Sequence, residues 1–272
     1  MGAVVLSIDA DRTISNGAAG IQIETHADGR QQLADLLDTR RLPATWVVTR
    51  RTLDGHGPDG VFLDRLRTST TGHELACQPF VPGALYDRRA ARDAASACVN
   101  AAYDNGFRLT TVAFADDRPV HRTALSECGF CCYRGDRPDR DPMGRLRRLA
   151  RVVRRDAPPI VWPATDDYGL VVVPTSTTPF RGALGLDHRF DDRTIDRLLA
   201  GIDAATETDG VLHVRLPTSV LIDGTARSIV RPVLDRIVER RDAGELDVET
   251  VHGVATWIHS HSPSQPIDAA LG

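Results

Sequence analysis

The chain contains no lysine. All 33 basic residues among its 272 are arginine, which excludes chemistry that needs a primary amine, such as a Schiff base or a phosphate-loop lysine. Glutamate is scarce as well, seven against thirty aspartates, a bias that fits a GC-rich coding sequence and carries no functional information. No apolar stretch approaches the ~18 residues of a membrane-spanning helix. The first apolar run is short, lacks a basic flank and a cleavage site, and ends in Asp9, so it reads as a strand and not as a signal peptide. A cytoplasmic location is the expectation. Excess positive charge is missing too: the net charge of -4 argues against nucleic acid as a partner. The five cysteines, an odd number with no export signal, point to free thiols. Cys128-Gly-Phe-Cys131-Cys132 has the CxxC spacing of metal and redox sites. If residues 130–133 form a strand, however, Cys131 and Cys132 face opposite ways and do not share an ion.

What is present is an alternation of short apolar segments and helical patterns from end to end. Strands are expected near 3–9, 44–48, 73–77, 110–114, 130–133, 168–174, 211–216 and 245–249. Helices are expected near 28–41, 58–68, 86–104, 121–128, 142–155, 190–206 and 226–243. Such a series predicts right-handed βαβ units and a mainly parallel sheet, in a barrel or an open sheet. No linker divides it, so residues 1–258 are read as one domain and 259–272 as a polar, flexible tail. The helix at 142–155 has an apolar stripe of Leu146, Leu149, Val152 and Val153, with six arginines on its other faces.

Residues 3–11, Ala-Val-Val-Leu-Ser-Ile-Asp-Ala-Asp, are the most informative fragment. An apolar run closed by two carboxylates has the form of a buried parallel strand ending at a site, because α/β folds place chemistry at the C-terminal strand ends. Period-2 geometry puts Asp9 and Asp11 on one face if the strand continues through both.

Ser7-Ile-Asp-Ala-Asp11, Leu42-Pro-Ala-Thr-Trp-Val-Val-Thr49 and Gly72-His-Glu-Leu-Ala-Cys77 together resemble the opening of the polysaccharide deacetylases, the carbohydrate esterases related to the nodulation chitooligosaccharide deacetylase. Val112-Ala-Phe-Ala-Asp-Asp117, Gly129-Phe-Cys-Cys-Tyr-Arg-Gly135, Gly210-Val-Leu-His-Val-Arg-Leu216 and Gly244-Glu-Leu-Asp-Val-Glu-Thr250 follow in the family's order. The resemblance spans roughly residues 3–258 and implies a distorted (β/α)7 barrel. It also implies metal-assisted hydrolysis of an acetamide or ester, with zinc held by one Asp and two His, a second Asp as general base and a late His as general acid.

Under that resemblance Asp9 is the catalytic base and Asp11 the metal ligand. The remaining positions depart from the pattern. Gln78 and Pro82 stand where the family has its two histidine ligands, and Pro217 stands where it has the catalytic His. Relatives also carry an arginine that orients the base; Arg118, in Phe114-Ala-Asp-Asp-Arg-Pro119, is displaced from that position. Whether the chain is an enzyme is therefore left open, and a non-catalytic glycan-related member with a degenerate site is the favoured expectation. Two alternatives stand beside it. In one, Asp9, Asp11, Asp116 and Asp117 form a rebuilt carboxylate site for Mg²⁺, Mn²⁺ or Ca²⁺ in place of Zn²⁺, and the hydrolase remains active. In the other the chain is a metal-free enzyme or partner module in which Arg118 and Arg215 grip an anionic group; Gln78 is a further substrate-binding candidate. The expected partner throughout is a carbohydrate or glycan precursor. His213 is expected to be buried inside the barrel, His73 to be structural, and His252 to lie past the last strand within reach of the mouth.

Overall fold

The computed structural model describes residues 2–11, 22–78, 87–113, 122–135, 160–176, 192–218 and 224–261. Its strands are β1 (Ala3–Asp9), β2 (Thr45–Thr49), β3 (Glu74–Gln78), β4 (Thr111–Ala113), β5 (Cys132–Gly135), β6 (Ala164–Thr165), β7 (Val171–Pro174), β8 (Val211–Pro217) and β9 (Asp247–Glu249). The helices are α1 (Gln22–Arg40), α2 (Arg50–Leu53), α3 (Pro58–Thr68), α4 (Arg88–Asp104), α5 (Arg122–Glu127), α6 (Asp192–Thr206), α7 (Gly224–Asp242) and α8 (Val251–His261).

Seven parallel strands run in the order β7-β5-β4-β3-β2-β1-β8, with β6 antiparallel on the outer edge of β7. The gap between β7 and β8 is bridged sparsely, by an antiparallel bridge between Val161 and Val211 and by reciprocal bonds between Ser176 and His213. This is a distorted (β/α)7 barrel, as expected. One further irregularity lies at β1. Its whole length pairs with β8, while Ala3–Val5 pair with β9 and Ser7–Asp9 with β2. A strand has only two edges, so β9 and β2 share one of them, and β2 diverges from β1 at the N-terminal end of the barrel.

Pleating sorts the strand residues into two sets. Val4, Leu6 and Ile8 join Leu33, Leu37, Trp46 and Leu212 in the large core between strands and helices. Val5, Ser7 and Asp9 point into the barrel. There Val5 packs with Cys132, Val171, Val173, Val211 and the α8 residues Val251, Val254 and Ala255. Helix α8 thus plugs the N-terminal end of the barrel. Its apolar residues follow an i, i+3, i+4 spacing, and the Thr250 hydroxyl accepts the Gly253 N–H as an N-cap. The helix continues through His261, so the first three residues of the segment read as a tail are helical. Residues 262–272 lie outside the described residues.

The cysteine pair departs from the strand rule. The N–H groups of Cys131 and Cys132 both donate to the Thr110 carbonyl, at 2.9 and 3.3 Å, so two residues oppose one where β5 begins. This bulge cancels the alternation, and both side chains pack on the interior cluster with their sulfurs 4.0 Å apart. The expectation that they cannot share an ion is corrected on that ground. Among the described residues no helix is long and apolar enough to cross a membrane. The arginine-rich segment 142–155 lies outside the described residues.

Candidate functional site at the barrel mouth

Asp9 ends β1 at the C-terminal face, opposite Val47 of β2 and Pro217 of β8. Its two oxygens are each taken by a different arginine. Arg134 Nη2, from β5, donates to Oδ1 at 2.6 Å, and Arg215 Nε, from β8, donates to Oδ2 at 2.5 Å. Arg134 is only 2% exposed. Burial raises the Asp9 carboxyl, but the two guanidinium groups outweigh it and hold the carboxyl below its ordinary value. Asp9 is therefore an ionised, doubly paired carboxylate near neutral pH.

One interior step below, Arg134 Nη1 donates to Ser7 Oγ at 3.2 Å. Ser7 Oγ lies 2.9 Å from His213 Nε2, and His213 Nδ1 lies 3.1 Å from the Pro174 carbonyl. A carbonyl only accepts, so Nδ1 carries the proton and Nε2 accepts from the serine hydroxyl. His213 is fully buried inside the barrel, as expected. Burial first, then the charge of Arg134, pushes its pKa down to about 3. The chain Asp9–Arg134–Ser7–His213–Pro174 is one connected network of hydrogen bonds running from the mouth into the barrel.

Asp11 is engaged differently. Its Oδ2 accepts the Thr49 N–H at 2.5 Å and its Oδ1 accepts Thr52 Oγ1 at 2.6 Å. Thr49 and Thr52 bracket the start of α2, so Asp11 caps that helix from outside it. Arg30 Nη1 approaches Asp11 at 3.5 Å while its Nη2 holds Asp59 at 2.6 Å. Asp11→Ala is expected to cost about 1–2 kcal/mol in urea denaturation, the range for a lost cap. An unchanged midpoint would refute the capping role.

Gln78 closes β3, two strands from Asp9, and is buried with no hydrogen-bond partner for its Nε2. An orphaned buried amide donor at the mouth is the kind of group that a ligand satisfies. Pro82, Asp116, Asp117 and Arg118 lie outside the described residues. Zinc is a poor fit to the described residues of the mouth: of the implied ligand set they retain only Asp11, both of whose oxygens are bound to the start of α2, and an amide.

Two arginines that the sequence did not bring together emerge here. The resemblance implies an arginine that orients the base, and Arg134 makes that contact from β5. The hint available in the sequence was a charged residue inside an otherwise apolar strand, Cys132-Tyr-Arg-Gly135, with the same parity as Cys132. Two histidines lie elsewhere. His73 bridges the Ala44 N–H and Asp38 and sits edge-on to Trp46, a structural position. His252 is not near the mouth: it begins α8 at the opposite end of the barrel, beside Cys131 and with its N–H on Glu74.

The fold that this barrel and its strand-end aspartate define is that of the polysaccharide deacetylases. A structure from Mycobacterium smegmatis described as a polysaccharide deacetylase superposes with a TM-score of 0.64 at 15% identity, over 95% of this chain and 90% of that one. A second so described, from Pseudomonas aeruginosa PAO1, gives 0.64 at 12% identity, over 97% and 92%. The PuuE allantoinase gives 0.61 at 13% identity, over 96% and 91%. Identity this low carries the fold and not the activity. No protein-family model and no curated protein matches the sequence.

Proposed function

We propose that this chain is a deacetylase-fold protein that binds a carbohydrate or carbohydrate precursor at the barrel mouth and does not hydrolyse it by the zinc route. The observation that carries this reading is the pairing of Asp9. The resemblance gives the base one orienting arginine; here a second, Arg215, takes the other oxygen, and the two guanidinium groups together stabilise the charged form and weaken Asp9 as a proton acceptor. Asp11, the ligand position of the resemblance, serves α2. Gln78 offers an unpartnered amide donor, and Arg215, which bonds Asp9 through Nε, places a guanidinium at the same mouth; both groups suit the hydroxyl, acetamido or acidic oxygens of a sugar.

The test is calorimetric titration of the full chain with a panel of acetylated, acidic and phosphorylated sugars, with acetate release followed in the same samples after addition of Zn²⁺, Mg²⁺ or Mn²⁺. Saturable binding is expected for at least one sugar, weakened roughly tenfold or more in Gln78→Ala, the effect of one lost polar anchor. No acetate should appear. Metal-dependent acetate release that disappears in Asp9→Asn would establish the rebuilt carboxylate hydrolase instead. Absence of binding across the panel would sink the reading altogether.

A further inference from the structure

The N-terminal end of the barrel carries a second cluster, away from the mouth. Cys131 Sγ lies 4.0 Å from Cys132 Sγ and 3.4 Å from His252 Nδ1, and the three ligand atoms lie within 4.8 Å of one another. From this geometry we propose that Cys131, Cys132 and His252 form a binding site for a thiophilic d10 cation of the zinc type.

The spacing matches what such an ion needs. With Zn–S of about 2.3 Å and Zn–N of about 2.0–2.1 Å, two sulfurs on one ion stand ~3.8–4.0 Å apart and a sulfur and a nitrogen ~3.5–3.7 Å apart. The observed 4.0 and 3.4 Å fall close to those edges, and the third pair, Cys132 Sγ and the His252 nitrogen, lies within 4.8 Å, so closing the site asks for a shift of at most about an ångström at that edge. Two thiols and an imidazole also form the donor set that selects Zn²⁺ or Cu⁺ over Mg²⁺ or Ca²⁺. The bulge at the start of β5 makes the arrangement possible, because a regular strand would turn one sulfur away.

The surroundings suit a cation. Thr111 Oγ1 lies 2.9 Å from Cys132 Sγ and can donate to it as a thiolate. Glu74 brings a buried carboxyl beside the cluster: its Oε2 accepts the Thr45 hydroxyl and the His252 N–H, while its Oε1 is buried with no hydrogen-bond partner. Cys132 is fully buried, whereas Cys131 and His252 are partly exposed and give the ion a path from solvent. Binding would release the thiol protons and change no oxidation state. Three protein ligands leave a fourth position for water. The ion would tie α8 to β5 and so fix the plug against the barrel floor.

The experiment uses the reduced full-length chain, stripped of metal and titrated with Zn²⁺ against a chromophoric chelator, then with Co²⁺ for its absorption spectrum. One equivalent of Zn²⁺ is expected to bind, to raise the melting temperature, and to weaken at least ~10-fold in Cys131→Ser and in His252→Ala. Cys128→Ser, which alters a thiol at the end of α5, should leave binding unchanged. Co²⁺ in the wild-type chain should give a thiolate-to-metal charge-transfer band, a readout that needs no variant to fold. A wild-type chain that binds no zinc, a cobalt spectrum without that band, or binding that survives Cys131→Ser and His252→Ala but fails in Cys128→Ser would each overturn the site. Sugar binding at the mouth is a separate measurement, so failure of one reading leaves the other standing.

Discussion

Replacing Arg134 by methionine is expected to lower stability by about 3–5 kcal/mol, the range for a buried charge deprived of its partner. Asp9 would then face the barrel interior with Arg215 alone, and the Ser7 hydroxyl would lose its donor. The loss is larger than that of a surface ion pair because Arg134 is almost wholly inside the protein. The double variant Asp9→Leu/Arg134→Met removes both charges together, although Arg215 then lacks its carboxylate. It is expected to be less destabilised than the sum of its single variants, because neither leaves the other's charge stranded. Urea denaturation of the four proteins supplies the comparison. Arg134→Met within about 1 kcal/mol of wild type would mean that Asp9 is satisfied by other means.

The second large effect is a loss of stability in mild acid that traces to His213. Its folded-state pKa of about 3 lies below the ordinary 6.5, so the unfolded chain binds a proton in that interval that the folded chain refuses. The stability associated with the neutral ring is fully present above pH 6.5 and is lost as the pH falls toward 3. The whole interval corresponds to about 5 kcal/mol, from a depression of 6.5 to about 3 at ~1.4 kcal/mol per unit. Other groups contribute to the slope. Burial also depresses His73, which acts in the same direction, whereas His252 is raised by its bond to Cys131 and acts in the opposite one. The diagnostic is therefore a difference. Between pH 6.5 and 4 the stability of His213→Gln should fall less steeply than that of the wild type. Parallel curves would show that the ring is protonated in the folded state without cost.

The sequence carried the architecture well, because strand order in an α/β chain is written locally. Ala3–Asp9 is bounded by composition alone, and Pro58–Thr68 by its apolar spacing and its proline in the first turn. Gly129, with φ of 87°, marks the end of α5 as a left-handed helix terminus does. Helix α8 was legible in retrospect, since Thr250 followed by Val251, Val254, Ala255 and Ile258 is a capped apolar stripe. His259 and His261 at its C-terminal end made residues 259–261 read as the start of a polar tail. Helix α2 is a single turn with no periodicity to detect, and it depends on a carboxylate 38 residues away.

The site was less legible for a geometric reason. Period-2 alternation says which face a residue occupies, but not which residue it meets across a closed barrel. Asp9 meets Arg134 and Arg215 at separations of 125 and 206 residues, and only the curl of the sheet brings them together. Arg215 was visible as a substrate-binding candidate by its place on β8. Its pairing with Asp9 was not. The bulge at Cys131 was hidden for the opposite reason, because it breaks the alternation from which faces are read.

The shared edge of β1 bears on how the chain reaches this state. Ala3–Asp9 is the first strand in the sequence, yet its long partner spans Val211–Pro217 and its lower-edge partner spans Asp247–Glu249. During synthesis β1 therefore has β2 available early, along only its upper half, and waits for some two hundred further residues before either remaining ladder can form. Contacts at such separations carry the largest loop-closure entropy and slow folding. Until they close, an apolar strand stays open along most of its length and is the part of this chain most in need of protection from aggregation.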